Sequence, residues 1–517
     1  MAAVPKPAPG GKSVGRFRAF LELFSNNPLG HLLFGVAIII GFFHGWLKNE
    51  IRHWFITFAF DVPLTLALIV TLAKLPRMQP WFPDCRIGKS LSAFVGISIL
   101  YLILPFGVPF LIGLSALRAW IFAPIIFLLG FHLTRSIRQI EAYFWLLILL
   151  GAITAIYGLF QTPEEIKRRM ETDPEFAQRF FNTFYGNAKG EAKLRVFSTF
   201  VSAAAFGGVM AYTIMFAVAR FSVEGNTWIE RTILIALAVP MAYGIILSGS
   251  RTSLMMMASG LIYTSWYRRN LLTYLVAPAM IIAGYAFGQE KTGGDSLDRF
   301  LTILDPSVIW GRLYIVLSPS INSLVNYPLG GGLGRSGNGI PFVLVGMFSN
   351  FDFRAIDGEA GRLVVDMGII GMIVYCYLIF SGSADAIRNM SKLRDTPLSV
   401  IGVPAGAMFL IAVSTIFTGS PFLAIPSGPL FWFFLGALER LTQEYGKLEA
   451  AAPGQAKFSD MFVSFIQPPR QRLLFTPSSN SGAQPERIEI PSFDKDASSR
   501  FPQRNTKANA KRFLYRR

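Results

Sequence analysis

Long apolar runs, separated by short polar segments, fill the chain from residue 29 to residue 439. A helix of about 20 apolar residues crosses the ~30 Å hydrocarbon core of a bilayer, and the runs approach that length. The pattern therefore predicts an all-α polytopic membrane domain at 29–439, flanked by polar segments at 1–28 and 440–517. About twelve transmembrane helices are expected, at residues 29–47, 54–73, 91–112, 117–133, 142–160, 199–219, 232–249, 252–267, 271–288, 363–384, 398–418 and 422–439.

The composition also indicates a membrane protein. Hydrophobic residues make up 52% of the chain and charged residues 15%, whereas soluble proteins carry roughly 25% charged residues. Residues 1–28 lack the short apolar segment of a secretory signal, so we expect no cleaved leader. Cys85 and Cys376 are the only cysteines and the last histidine is His132. This pattern predicts neither a disulfide framework nor a metal or cofactor site.

The positive charge follows the membrane topology. The formal net charge is +17, and Lys and Arg collect in every second connection between the predicted spans. By the positive-inside rule these connections and both termini face the cytoplasm, so no nucleic-acid partner is needed to explain the charge. Residues 440–517 are rich in Pro, Ser, Gln, Lys and Arg, which predicts disorder. Their basic end either contacts anionic lipid headgroups or stays solvated.

Two long connections face outward in this topology, at residues 161–198 and 289–362. The first predicts a charged helix followed by a Gly-rich turn. The second predicts a large extracytoplasmic loop between spans 9 and 10, with an amphipathic helix and then the glycine loop GGGLGRSG. Loops longer than ~15 residues are usually functional or disordered, and the aromatic and apolar content here favours function.

Five arginines fall on this outer side, each at a helix end or in a loop. Arginine is permanently cationic, and its planar fork pairs bidentately with phosphate. Several arginines that converge on one pocket would therefore suit a diphosphate. The alternative for each is a side chain that extends to the lipid headgroups. The five are Arg195, Arg251, Arg312, Arg335 and Arg362.

The stretch IDGEAGRLVVDMGIIG, at residues 356–371, places four ionisable residues at the edge of a span. A charge at the centre of a transmembrane helix costs about 2.5–3.5 kcal/mol, so such a cluster predicts a functional site. Residues three and four apart share a helix face, which puts Glu359, Arg362 and Asp366 on one stripe, with Asp357 near its start. The alternative is a ladder of salt bridges within the helix.

Taken in order, four motifs resemble those of the O-antigen ligase and polymerase superfamily of bacterial membrane glycosyltransferases. The resemblance covers roughly residues 190–375. It implies a GT-C-like fold and a metal-independent inner-membrane enzyme. Such an enzyme moves a glycan from undecaprenyl diphosphate to a hydroxyl of an acceptor glycan or lipid, and chain-length regulators or export proteins are expected partners. The motifs are LRVFSTFVSAAAFGG, LSGSRTSL, GRLYIVLSPSINSLVNYPLGGGLG and DGEAGRLVVDMGIIGM.

One departure from the family pattern is informative. Ligases of the family carry a His-Asn pair about nine residues before the acidic-x-Gly that opens the next span, and here Asp357 stands at the His position. This disfavours a lipid A-core ligase and leaves a polymerase, or a divergent exopolysaccharide or O-linked glycan transferase. The resemblance implies that Arg195, Arg251, Arg312 and Arg335 bind diphosphate. It leaves Glu359 or Asp357 as the base, with Arg362 orienting it or binding phosphate.

Two other functions stay open at this point. A transporter or flippase of a lipid-linked glycan would need charge deeper in the membrane, and Asp61, within span 2, is the residue that favours it. The alternative for Asp61 is a carboxylate that pairs with a nearby arginine such as Arg118. A scaffold membrane protein is the third possibility, and it would not need the outer arginines.

Overall fold

The computed structural model describes most of the chain between residues 24 and 451. Predicted span 9, at 271–288, and the tail after 451 lie outside the described residues, as does Asp357. The described residues belong to one unit, Met1–Gln467. They are 24–268 and 306–451, without 52, 105, 174–175, 178–183, 187–191, 224–225, 341, 349, 355, 357, 397 and 417–418.

The described part of the chain is predominantly helical, with one short β-hairpin. A 3₁₀ turn, Trp54–Phe58, precedes α2. Strand β1 (Phe184–Gly186) pairs antiparallel with β2 (Ala192–Leu194). The helices are α1 (Pro28–Glu50), α2 (Asp61–Ala73), α3 (Arg86–Ile103), α4 (Phe110–Leu133), α5 (Ile137–Leu159), α6 (Pro163–Thr172), α7 (Ala203–Phe221), α8 (Trp228–Ser248), α9 (Arg251–Arg268), α10 (Pro306–Asn326), α11 (Phe342–Met347), α12 (Glu359–Leu393), α13 (Ser399–Ser414) and α14 (Ser427–Ala451).

Eight of these segments are long and apolar enough to cross a membrane, judged by length and composition over the described residues. They are α1, the 3₁₀ turn with α2, α3, α4, α5, α7, α8 and α12. This confirms a helical, multi-pass membrane protein. Helices α9, α13 and α14 lie where spans 8, 11 and 12 are predicted, and α13 is a shorter apolar helix.

The outer surface of the spans is apolar, as a lipid environment requires. Helix α2 exposes Val62, Leu66 and Ile69 on one face, at the spacing of three to four residues that a helix face has. Its opposite face buries Leu64 and Ala67 in the core. Monomeric soluble proteins rarely expose large continuous apolar patches, so this surface fits contact with lipid tails.

Helices α4 and α14 run parallel and pack most closely. A Cβ on Gly130 would lie 1.9 Å from the Phe433 carbonyl oxygen, and one on Gly436 would lie 2.1 Å from that of Phe127. Such approaches are open only to small residues, which commonly line helix contacts in membranes. The N-terminal parts of α2, α4 and α14 lie together, because one cavity is lined by residues from all three. Glu359, the first residue of α12, binds Phe422 just before α14, so α12 begins at the same end of the bundle, which we call the site end.

The structure differs from the predicted spans at several boundaries; helix α4, for example, begins at Phe110 rather than at 117. Helix α3 ends at Ile103 rather than at 112, and α14 begins at Ser427 and continues to Ala451 rather than spanning 422–439. The predicted tail therefore begins as helix. Helix α12 is interrupted at Gly368, which has φ 58° and ψ −154°.

The two long connections contain the helices that the sequence predicts. Helix α6 is the charged helix of the first connection, and its N-terminus is capped by Thr162. The short hairpin that follows was not predicted. In the second connection, α10 is the expected helix, and residues 330–339 form the glycine loop, in which five glycines have positive φ.

Candidate functional site

The candidate site lies at the start of helix α12, whose first residue is Glu359. Gly358 precedes it with φ 81°, a conformation that favours glycine. The Glu359 carboxylate is fully buried. It accepts hydrogen bonds from the Tyr375 hydroxyl and from the Phe422 backbone N–H at 3.1 Å. Glu359 therefore fastens the start of α12 to the segment that leads into α14.

Arg362, one turn further along, lies on the wall of an open cavity. Its Nε donates to the Ile356 carbonyl at 3.1 Å, and one terminal nitrogen donates to Asn338 Oδ1 at 3.1 Å. These bonds fix the plane of the guanidinium. The cavity has a volume of about 540 Å³, and its lining within the described residues is Ile315, Pro319, Ser336, Gly337, Asn338, Gly339, Ile356 and Arg362.

Asp366 joins α12 to the glycine loop and to α4. It is fully buried, and its Oδ1 accepts from the Ser336 backbone N–H at 2.8 Å. Its Oδ2 accepts from the Ser336 hydroxyl at 3.0 Å and from Trp120 Nε1 at 2.8 Å. Three donors thus stabilise a carboxylate two turns inside the helix, and they hold Ser336 at the cavity wall.

The glycine loop packs against α4 because its glycines permit close approach. Gly339 has φ 70°, and a Cβ there would lie 2.3 Å from the Cβ of Ala119. A side chain at this position would move the loop away from α4, and with it the neighbouring Asn338. The loop is therefore a closely packed part of the cavity wall.

The break in α12 receives the other end of the same loop. Because the helix is interrupted at Gly368, the Val365 carbonyl is free to accept from the Gly331 N–H at 2.7 Å, and the Ile369 N–H donates to Pro328 at 3.0 Å. A Cβ on Gly368 would lie 2.3 Å from the Gly330 nitrogen. The loop and the broken helix form one hydrogen-bonded unit.

The other predicted diphosphate ligands occupy different positions. Arg335 donates to the Gly331 carbonyl at 2.9 Å and pairs with Asp352 at 3.9 Å. Its guanidinium also lies over the rings of Tyr327 and Phe351. Arg335 thus supports the glycine loop, and it is not among the described lining residues of the 540 Å³ cavity.

Arg195 and Arg251 lie together at the junction of α8 and α9. Arg195 donates to the carbonyl of Ser248, the last residue of α8, at 3.2 Å, and Arg251 is the first residue of α9. Neither belongs to the described lining of the 540 Å³ cavity. Arg312 lies in α10, and its side chain, like the whole of Asp357, is outside the described part of the structure.

Asp61 pairs with Arg118, as the sequence analysis allows. Arg118 Nε donates to Asp61 Oδ2 at 2.7 Å, and a terminal nitrogen contacts the same oxygen. The pair joins the start of α2 to α4 at the site end. It lines a second cavity of about 100 Å³, which Asn338 and Gly339 also line.

Glu359, Arg362 and Asp366 share a helix face, but among the described contacts no salt bridge joins them. Their hydrogen bonds go to other elements, so an internal ladder does not explain the cluster. Asn338 is the residue that sequence reasoning missed. Its only signal is a polar side chain between two glycines, GNG, in a loop beside the conspicuous arginines.

The comparisons with known proteins leave the family open. No model of a known protein family matches the sequence, and no curated protein matches it.

Proposed function

We propose that the protein is a glycosyltransferase of the bacterial inner membrane. It would polymerise or transfer an undecaprenyl-diphosphate-linked oligosaccharide to an acceptor hydroxyl on the periplasmic face. The proposal includes twelve spans in a GT-C-like arrangement, with the ninth at residues 271–288 and both termini in the cytoplasm. The observation that supports it best is Arg362 on the wall of the 540 Å³ cavity at the site end.

Arg362 is suited to a diphosphate for a geometric reason. A guanidinium has five N–H donors, and the contacts with Ile356 and Asn338 use two of them among the described residues. The remaining donors can pair with phosphate oxygens. A cavity of this volume falls within the ~300–1,000 Å³ range of small-molecule sites. A diphosphate leaving group would therefore meet a cation whose orientation is already fixed.

The reaction needs this cation because negative charge develops on the diphosphate as the glycosidic bond breaks. Preorganised donors in a site that excludes water stabilise such charge, because folding has already oriented them and no further reorganisation is needed during the reaction. Asn338, Ile356 and the start of α12 provide the preorganisation. We expect Arg195, Arg251 and Arg312 to contribute to the path of the lipid-linked substrate, in keeping with the family resemblance.

Glu359 takes a positioning role in this proposal. Its side chain is fully buried and both carboxylate oxygens accept hydrogen bonds, so it acts on the reaction by holding the turn of α12 that carries Arg362. Its predicted role as a base stays a prediction, and so does that of Asp357.

A transporter of the same lipid-linked glycan is the second candidate. The break of α12 at Gly368 favours it, because many secondary transporters bind substrate at discontinuous transmembrane helices. The sequence favours a transporter only through the charge of Asp61 within span 2. Asp61 pairs with Arg118, so a transported substrate is not needed to explain that charge.

Reconstituted vesicles test the proposal. Purified protein is incubated with the lipid-linked oligosaccharide isolated from membranes of the cells that carry it, and the products are separated by size. We expect a ladder of longer lipid-linked glycans, reduced at least about a hundredfold in Arg362→Ala, because an oriented donor to transition-state charge is worth roughly that factor. Arg362→Lys should recover little, since lysine cannot pair bidentately.

Arg354→Ala is the matched control, because this arginine is 55% exposed and pairs with Asp352. It should leave the ladder unchanged. Capture of the glycan on a second lipid or a protein would favour a ligase. Movement of the glycan between leaflets without chain growth would replace the proposal with the transporter.

A further inference from the structure

The second cavity, of about 100 Å³, lies directly beside the first, because Asn338 and Gly339 line both. Its other polar wall is the Asp61–Arg118 pair, and the rest of its lining is apolar. A volume of this size holds a few water molecules or a small part of a ligand, such as one hydroxyl with its carbon. The remaining described lining residues are Ala119, Phe122, Ala123, Phe422, Leu423, Ile425 and Pro429.

Two polar atoms of residues that line this cavity have no hydrogen-bond partner among the described residues. They are Asp61 Oδ1, an acceptor, and Asn338 Nδ2, a donor, and both are buried. The Asp61 side chain is 8% exposed, and its other oxygen is the one that Arg118 holds. Buried polar groups are nearly always hydrogen bonded, to protein or to water, so two unpartnered groups in residues that line one small cavity point to a water molecule or a ligand there.

The orientation of Asn338 follows from its neighbour. Arg362 can only donate, so the amide oxygen must face it, at the observed 3.1 Å. The amide nitrogen is then directed away from Arg362. One side chain thus meets the diphosphate-binding arginine on one side and offers a donor on the other.

We propose that the Asp61–Asn338 cavity binds the acceptor hydroxyl of the incoming sugar. A hydroxyl is the group that can donate to Asp61 Oδ1 and accept from Asn338 Nδ2 at once. A phosphate or carboxylate cannot donate to Asp61, and an ammonium cannot accept from Asn338. The apolar wall suits the C–H groups that flank a sugar hydroxyl. This inference rests on the proposed function.

The arrangement defines the bond changes. The acceptor hydroxyl gives its proton to Asp61 Oδ1, and its oxygen forms a bond to the anomeric carbon of the donor glycan. The bond between that carbon and the phosphate oxygen breaks, and the diphosphate leaves with the electron pair beside Arg362. Asp61 then loses the proton to water. Asp61 would be the catalytic base, and Asn338 would orient Arg362 with its amide oxygen and the acceptor hydroxyl with its amide nitrogen.

Two isosteric variants test the cavity. Asp61→Asn can keep an oxygen toward Arg118 while it presents a donor to the hydroxyl. Asn338→Asp keeps an oxygen for Arg362 and replaces the N–H that donates a hydrogen bond with an oxygen that can only accept one. The donor substrate is the isolated lipid-linked oligosaccharide. The acceptor substrate is the free oligosaccharide that mild acid releases from the same material. Undecaprenyl diphosphate is added as an inhibitor, and its inhibition constant measures binding at the site of the donor substrate.

We expect both variants to raise the apparent KM for the free oligosaccharide at least about tenfold, the loss that accompanies removal of a hydrogen bond to a charged group. In Asp61→Asn the inhibition constant of undecaprenyl diphosphate should stay within about twofold and kcat should fall as well. Asp84→Asn is the matched control, because this carboxylate also pairs with a cation, Lys89, but is 84% exposed. It should change neither constant.

Several outcomes would overturn the inference. If both variants unfold at lower temperature but keep the wild-type KM for the oligosaccharide, the cavity holds only structural water. If Asp61→Asn does not fold, Asn338→Asp decides alone, and an unchanged KM in that variant refutes the proposal. Saturation-transfer NMR with the free oligosaccharide separates the two levels. Binding by the wild type that Asp61→Asn abolishes would support the cavity even if no chain growth is seen and the proposed function fails.

Discussion

Replacing Tyr375 by Phe should destabilise the protein more than replacing Glu359 by Gln, although the second change removes a charge. Tyr375→Phe leaves one oxygen of a fully buried carboxylate without its donor. Loss of a hydrogen bond to a charged group costs about 1.5–3 kcal/mol, so we expect about 2–3 kcal/mol. The carboxylate itself stays in place and stays buried.

Glu359→Gln keeps both contacts in a weaker form. The amide oxygen can accept from the Phe422 N–H, and the amide nitrogen can donate to the Tyr375 oxygen once that hydroxyl rotates. Neutral hydrogen bonds are roughly half as strong as charge-assisted ones. The smaller desolvation cost of an amide offsets part of this loss. We therefore expect a net cost of about 1 kcal/mol or less.

The measurement is the free energy of unfolding, obtained by titrating SDS into dodecylmaltoside micelles that hold each variant and the double variant. The double-mutant cycle should give a coupling of about 1–2 kcal/mol between the two side chains. Tyr377→Phe is the control, because Tyr377 is 51% exposed, and it should change stability by less than about 0.5 kcal/mol. A folded Glu359→Gln protein of wild-type stability that makes no glycan product would refute the positioning role and restore Glu359 as a base.

Two further predictions concern packing and the buried carboxylate. Gly130→Ala should cost about 1–3 kcal/mol because its Cβ would meet the Phe433 carbonyl; Gly35→Ala, whose Cβ would meet nothing within 4 Å among the described residues, should be neutral or slightly stabilising in the same titration. Asp366→Asn should cost about 2–3 kcal/mol in that titration because its amide must set a donor against a donor, and Trp120→Phe, which removes one donor to the same carboxylate and leaves part of the buried indole site empty, should cost at least as much; a loss below about 0.5 kcal/mol in either variant would show that these hydrogen bonds do not hold the loop.

The spans could be predicted from the sequence because residues inside a lipid bilayer share one property, their apolar character. Val62, Leu66 and Ile69 face outward and Leu64 and Ala67 inward, yet both groups are apolar, so hydropathy finds the span. Because the residues of a span are uniformly apolar, hydropathy does not show where the helix ends or where it is interrupted. Gly368 lies inside an apolar run, and its break depends on Gly331 and Pro328, about forty residues earlier, which supply the hydrogen bonds.

The candidate site likewise contains residues that the sequence predicts and one that it does not. Arg362 and Asp366 are visible in the sequence because charge in an apolar run is costly and therefore conspicuous. Asn338 is neutral, lies in a loop and costs little to expose, so nothing local marks it. Its importance comes from position alone, because its oxygen accepts from Arg362 and the residue lines the second cavity together with Asp61. Arg362, Asn338 and Asp61 lie on three separate segments, and Asp366 and Gly339 hold the loop that brings them together. If the enzyme joins a donor glycan to an acceptor, Asn338 links the two binding cavities, and local sequence does not mark such a residue because its role depends on contacts that exist only in the folded protein.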